Sequence, residues 1–231
     1  MATIYWCPVL RLRPNAGLHD SMEIFFQPPD PLFKAVVAEY PTSEMLRCPA
    51  VQDFCRDTYV VRAPFDITYT YDATTNTLNT DNLGQQFFDS FCLKRDDNSI
   101  ETAPSYLFYA KESVKVEALP VFLLRSGVAD ATHFVPGQFD IGKWIRPLVW
   151  NFFMKDPSKP LVVNKGEPLF LVRFTPADGS KVEFERVEYD YKTIKVANAC
   201  LGVKHYVTSM PLRHLYKLAD GYIKNFLRRN K

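Results

Sequence analysis

Residues 137–144 read Gly-Gln-Phe-Asp-Ile-Gly-Lys-Trp, which satisfies Gly-x-x-x-x-Gly-Lys, the front of a phosphate-binding loop. That chemistry wraps backbone N–H groups around phosphate oxygens. It also needs a hydroxyl after the lysine to hold Mg²⁺ and a helix whose N-terminus faces the anion. Here Trp144 stands where Ser or Thr belongs. Phe139 and Ile141 are bulky where backbone must approach phosphate, and Pro147 with an apolar, strand-like run replaces the helix. The residues favour a Pro-Gly turn feeding a strand over a nucleotide loop.

The same stretch offers a different candidate. In Lys143-Trp-Ile-Arg-Pro-Leu-Val-Trp150, the side chains of Trp144, Arg146, Leu148 and Trp150 share one face if the strand is regular. Two tryptophans flanking an arginine can stack a base, a sugar or a partner peptide. Lys143, Trp144, Arg146 and Trp150 are therefore the candidate ligand-binding residues. The competing reading makes both tryptophans core residues, with Arg146 bonded to a local carboxylate.

The other candidates are weaker. Glu183, Glu185, Glu188 and Asp190 form an acidic stripe that a bulge near Arg186 would keep on one face. Such a stripe can bind Mg²⁺ or Ca²⁺, but no second ligand set accompanies it, and a solvated face is the simpler reading. His19, His133, His205 and His214 have no metal-ligand spacing. The five cysteines contain no Cys-x-x-Cys pair, so all are expected reduced, with no disulfide framework and no zinc. There is no Gly-x-Ser-x-Gly, His-Glu-x-x-His or Rossmann glycine pattern, so no catalytic residue is nominated and no cofactor is expected. Residues 201–231 carry seven Lys/Arg against the single acid Asp220, while the first 200 residues are mildly acidic. Lys224, Arg228 and Arg229 are the nucleic-acid candidates. Basic residues at a helix end also follow from the helix dipole alone.

The elements that must position these groups are mostly strands. An edge strand is expected over 4–12 because it contains Pro8, and another over 22–26. Asp30 followed by Pro31 predicts a helix start with Asp30 as the cap, ending at Pro41. A second short helix opens at Pro49. Strands follow at 58–63 and 66–71, with a turn at 72–76 and a return from Leu78. Residues 106–110 and 114–119 read as neighbouring strands. Four further strands, at 144–154, 160–163, 168–174 and 181–186, are separated by Asp156-Pro157, Lys165-Gly166 and Asp178-Gly179. The stretch 144–174 is expected to lie as adjacent antiparallel strands of one central sheet. After residue 190 the period becomes helical: Ile194, Ala197 and Leu201 precede a Gly202 C-cap. Ser209 then caps a long helix whose apolar face is Leu212, Leu215, Ala219, Tyr222 and Phe226.

Composition agrees. Apolar residues make up 47% and charged residues 23%, both ordinary for a globular chain. Fourteen percent aromatics, 17 prolines and only 9 glycines favour short half-buried strands. The expected fold class is α+β and β-rich: an antiparallel β-sandwich or jelly-roll-like body with short N-terminal helices and C-terminal helices packed on it. One domain over 1–231 is expected, with a β-rich body at about 1–190 and a helical segment at about 191–231. The first residues lack a secretory pattern, and no apolar run is long enough for a membrane span, so a soluble intracellular protein is expected.

Several segments together carry a resemblance. They are Arg47-Cys-Pro-Ala50, Thr58-Tyr-Val-Val-Arg-Ala-Pro-Phe-Asp66, Tyr106-Leu-Phe-Tyr-Ala-Lys-Glu112, residues 136–147 and Lys165-Gly-Glu-Pro-Leu-Phe-Leu-Val-Arg-Phe174. The set resembles an uncharacterised family of contractile-tailed, mainly marine, bacteriophages. The resemblance implies a viral source, with location in the host cytoplasm during infection or in the virion, and brings no catalytic residues. The strand arrangement also looks like the jelly roll of trimeric deoxynucleotide hydrolases and deaminases, whose catalytic motifs are not recognisable here. The expected function is a non-enzymatic binding or structural module, either virion component or host-interaction factor, with a virion or host protein as partner and self-association compatible with it. The alternatives are a jelly-roll enzyme or binder acting on nucleotides or sugars, and nucleic-acid binding through the basic C-terminal helix.

Overall fold

The computed structural model describes residues 1–9, 27–188, 191–206 and 210–229. The expected strand at 22–26, Ser209 and Asp190 lie outside them. In chain order the elements are β1 (Ala2–Val9), β2 (Asp30–Pro31), α1 (Leu32–Glu39), α2 (Pro49–Arg56), β3 (Thr58–Arg62), β4 (Ile67–Asp72), β5 (Thr77–Asn79) and α3 (Gln85–Phe91). Then come β6 (Cys92–Lys94), β7 (Ile100–Tyr109), β8 (Val114–Leu119), α4 (Gly127–Ala131), β9 (Thr132–Phe134), β10 (Gly137–Asp140) and β11 (Pro147–Met154). The chain continues through β12 (Leu161–Val163), β13 (Pro168–Pro176), β14 (Val182–Arg186), α5 (Tyr191–Tyr206) and α6 (Leu212–Arg229).

Two sheets face each other, as the α+β sandwich reading requires. The first runs β14-β1-β7-β11-β9, with β6 also paired to β7; the second runs β10-β8-β13-β3-β2. All pairs are antiparallel except β1 with β14. Aromatic rings join the sheets. Phe108 of β7 meets Phe174 of β13 edge-on at 5.1 Å, Phe134 stacks on Phe170 at 5.6 Å, and Tyr59 meets Phe184 at 4.8 Å. A smaller sheet, β12-β4-β5, packs Tyr69 against Trp150 and Phe152 of the first sheet. The high aromatic content is thus spent at sheet-to-sheet contacts, where one ring fills the space of several aliphatic groups.

The helices cover what the sandwich leaves open. In β3, Tyr59 and Val61 point into the main core, and Val60 points outward beneath Leu32, Val36 and Cys55 of α1 and α2. That second layer is why β3 reads as a continuous apolar run instead of an alternating one. On the other flank, Val196, Ala197 and Cys200 of α5 join the main core with Leu215, Ala219, Ile223 and Phe226 of α6. Phe226 meets Tyr109 at 5.2 Å.

Several expectations need correction. The strands of 144–174 do not lie side by side: β11, β12 and β13 belong to three different sheets. The expected turns are real, Gly166 at φ +83° between β12 and β13 and Gly179 at φ +68° between β13 and β14, but they carry the chain between layers. Likewise β7 and β8 are joined by residues 110–113 yet sit in opposite sheets. β1 is interior to its sheet. Its Pro8 is tolerated because β14 pairs only with Ala2 to Trp6, so the missing N–H lies beyond that ladder. Asp30 does not cap α1; its carboxylate pairs with Arg62 at 2.8 Å, and Pro31 takes the cap position. Gly202 lies inside α5: burial of Ala197 and Cys200 outweighs a propensity penalty of about 1 kcal/mol. On α6 the buried face runs through Ile223, while Tyr222 is 57% exposed and Leu212 is also exposed. Both adjacent residues fit a helical spacing, and contact with the body selects Ile223.

Candidate functional site

The Gly-x-x-x-x-Gly-Lys stretch builds a locked corner. β10 ends at Asp140, and Gly142 sits where a Cβ would lie 2.1 Å from the Glu112 carbonyl oxygen, so the glycine serves a backbone crossing. The Gly142 N–H donates to Asp140 Oδ1 at 2.9 Å. Lys143 Nζ reaches Asp140 Oδ2 at 2.8 Å and donates to Ser113 Oγ at 3.2 Å, while Ser113 Oγ donates to Asp140 at 2.5 Å. The Tyr216 hydroxyl accepts the Asp140 backbone N–H at 2.9 Å and so ties α6 to this corner. A carboxylate thus occupies the place where a phosphate would bind. The bond to Asp140 raises the pKa of Lys143 and keeps it an ammonium. It therefore cannot act as a base toward Ser113, which a serine nucleophile would need.

The proposed aromatic platform is not formed. β11 begins only at Pro147, so Trp144 lies in the preceding turn, and the pairing with β7 shifts between Leu148 and Trp150. Trp144 packs near Tyr216 at 6.3 Å and Trp150 stacks on Phe152 at 4.0 Å; each is 1% exposed. Both tryptophans are core residues, as the competing reading had it. That reading also gave Arg146 a local carboxylate, and here it is wrong. Among the described residues Arg146 forms no ion pair. Its Nε donates at 3.4 Å to the Pro147 carbonyl, and its guanidinium lies 5.8 Å from the Phe139 ring centre.

Arg146 instead lines an open cleft of about 740 Å³ between β10, β11 and the β6–β7 turn. Phe139, Trp144 and Leu148 form its apolar wall, and Leu212 closes the α6 side. Burial lowers the Arg146 pKa below its ordinary value, while the nearby charge of Glu101 pushes it back up; a guanidinium remains charged all the same. Asn151 also lines the cleft, and its Oδ1 is buried with no hydrogen-bond partner. Arg95, paired with Glu101, also lines the cleft, as do the exposed Asp96 and Asp97. A cleft of this volume lies within the roughly 300–1,000 Å³ of small-ligand sites.

Sequence reasoning named Arg146 and missed Asn151, Glu101, Arg95, Asp96 and Asp97. Asn151 follows Trp150 along β11 and so points to the opposite face, a signal that strand alternation could have supplied. Residues 95–97 come from a hairpin some fifty positions away, and only the β7–β11 pairing brings them near.

The other candidates lie away from this cleft. Lys224 pairs with Asp220 at 2.6 Å one helical turn away, and Arg228 donates to Asn225 at 3.3 Å. The Arg229 side chain lies outside the described atoms. Glu183 and Glu185 alternate outward along β14, whose pairing with β1 is regular through Arg186 without a bulge. Glu183 accepts the Thr3 hydroxyl at 3.0 Å. Among the described residues no group of three or more His, Cys, Asp or Glu could hold a metal ion. All five cysteines are free thiols, with only Cys48 exposed, and no helix among the described residues is long and apolar enough to cross a membrane. Compared with protein families, curated proteins and solved structures, the chain matches none.

Proposed function

We propose that this is a phage-encoded, non-enzymatic binding module, a virion component or host-interaction factor, whose ligand enters the Arg146 cleft. The carrying observation is a guanidinium set into an open cleft without a carboxylate partner among the described residues. Burying an unpaired charge is unfavourable, and a site that tolerates it gains when an anion arrives. The phage origin rests on the segments quoted above, particularly residues 136–147. The binding reading over catalysis rests on the sequence, which carries none of the catalytic motifs sought above.

Thermal-shift screening of nucleotides, sugars, amino acids and small carboxylates tests the site. A ligand that stabilises the wild type and not Arg146→Met is the expected result. Ligands that stabilise both proteins equally would move the site elsewhere. Mass spectrometry of purified virions then separates the two biological forms: abundant peptides mark a virion component, and their absence marks a factor acting inside the host.

A further inference from the structure

We propose that the Arg146 cleft takes the C-terminal end of a partner polypeptide, added in extended form to the free edge of β10, with its terminal carboxylate on Arg146 and an apolar last side chain against Phe139. This rests on the cleft being the binding site and adds the class of what fills it.

The cleft opens where the chain leaves one sheet for the other. β9 pairs with β11 only from Phe152 to Met154, and the Val135 N–H to Asn151 O bond at 2.8 Å is the last before the chain crosses to β10. The part of β11 before that bond and the strand β10 after it both line the cleft. β10 is the outermost strand of its sheet and pairs with β8 among the described residues. Two bonds give the direction of its remaining backbone groups. Ile141 N–H donates toward β8, to Val114 O at 2.9 Å, whereas Asp140 N–H turns the other way and reaches the Tyr216 hydroxyl at 2.9 Å. Antiparallel pairing alternates these directions residue by residue. Gln138, two before Asp140, therefore turns its N–H and C=O away from β8. α6 marks what lies on that side: Tyr216 takes the edge at Asp140, and Leu212, one turn earlier, lines the cleft as Gln138 does.

An open strand edge pairs with an extended chain of any sequence, and the groups around it choose which one. Three do so here. The Arg146 guanidinium lies 5.8 Å from the ring of Phe139, the residue after Gln138, so the cation stands beside the free edge. A chain terminus supplies the carboxylate that a guanidinium fork matches. Phe139 and Leu148 offer apolar contact to the last side chain. Gly137 leaves room: an added Cβ there meets nothing within 4 Å, and by alternation a side chain at 137 would share the face of Phe139. A glycine weakens a strand and often marks a place where another backbone approaches closely. The charged residues of the lining are Arg95 and Arg146 against Asp96, Asp97 and Glu101, a balance that suits one carboxylate and opposes the several charges of a nucleotide or nucleic acid.

The probe comes from displayed random octapeptides with free C-termini, selected in parallel on the full chain and on Gly137→Leu, which fills the cleft. Peptides ending in an apolar residue should be enriched on the wild type alone. In fluorescence anisotropy the free acid of an enriched octapeptide should bind about tenfold or more tighter than its C-terminal amide, the scale of a charge-assisted hydrogen bond, and Arg146→Met should erase that difference. Gln138→Pro removes an outward N–H, which an edge strand tolerates. It should weaken the octapeptide by about tenfold and leave acetyl-phenylalanine, too short to pair along the strand, unchanged. Thermal melts identify the folded variants; where Arg146→Met does not fold, the acid and amide on the wild type decide. If acetyl-phenylalanine binds as tightly as the octapeptide and Gln138→Pro changes neither, strand addition is wrong and the cleft stands. If the same peptides are enriched on both proteins and bind a folded Arg146→Met as tightly as the wild type, the cleft assignment itself fails. Equal binding of acid and amide, or no enrichment on the wild type, overturns the proposal.

Discussion

Gly137 and Gly142, the two glycines of one sequence pattern, should respond oppositely to a single methyl group. At Gly142 an added Cβ would sit 2.1 Å from the Glu112 carbonyl oxygen and 2.9 Å from its carbon, where real Cβ atoms essentially never come within 3.0 Å. Relief requires a backbone displacement of about 0.9 Å, the shortfall against that limit. Neither side is free to give. Ile141 N–H donates to Val114 O at 2.9 Å, Ala110 N–H to Ile141 O at 3.4 Å, and the Asp140 carboxylate holds Gly142, Lys143 and Ser113 together. Overpacking typically costs about 1–3 kcal/mol, and a backbone-to-backbone clash belongs at the upper end. For a chain of this size, about 3 kcal/mol lowers Tm by roughly 6–12 °C. At Gly137 an added Cβ meets nothing within 4 Å, so Gly137→Ala should stay within about 0.5 kcal/mol of wild type. Paired thermal melts by circular dichroism decide the matter. If Gly142→Ala melts within a degree or two of Gly137→Ala, the packing account of this corner is wrong.

Leu215→Ala, which empties a buried position on α6, should cost about 2–5 kcal/mol, while Tyr222→Ala should be near neutral in the same denaturant titration. Under native conditions a thiol reagent should modify Cys48 quickly and the other four cysteines only on unfolding, because burial pushes Cys92 up to about 12 and Cys200 up to about 11. Asp156 is held down at about 2, first by the bond from Lys159 and then by Ser158. Its folded pKa lies below the ordinary value of about 3.9, so its contribution to stability is present above that value and fades as pH falls toward 2. A carboxyl NMR titration should find the low midpoint, and Lys159→Met should raise it. Gel-shift titration at physiological salt should find no submicromolar DNA or RNA binding; strong binding lost on changing Lys224, Arg228 and Arg229 to Ala would refute that expectation.

Local patterns were legible wherever turn chemistry or alternation set the outcome. The β4–β5 hairpin is an example: Asp72 accepts the Thr74 N–H at 2.8 Å, as a polar turn between alternating strands implies. The helix at Pro49 and the turns at Gly166 and Gly179 follow the same logic. What the residues could not convey was partnership between layers. Strands joined by tight turns usually pair, yet here residues 110–113 and the turns bounding β12 carry the chain across the sandwich. The difference lies in which face each strand buries, and β13, buried along most of its length, fits either arrangement. The candidate site was half legible for the same reason. Arg146 stood out as a cation among aromatics, but its cleft is assembled from a distant hairpin, so neither its missing carboxylate nor the acids lining the cleft could be read from the surrounding residues.

The parallel contact of β1 with β14 has a kinetic consequence. Ala2 pairs with Val182, 180 positions later, and β1's other neighbour begins no earlier than Ile100. Closing a loop that long costs about 2 kcal/mol more in chain entropy than closing one of about 20 residues. Topologies dominated by such distant contacts fold slowly. During synthesis β1, with Ile4 and Trp6 on its buried face, emerges before both of its partners and must wait for strands supplied much later. Until then it is an unpaired apolar strand, the kind of edge that recruits other chains. Refolding yield should therefore fall with protein concentration, and the sheet's earliest strand is among the last to be satisfied.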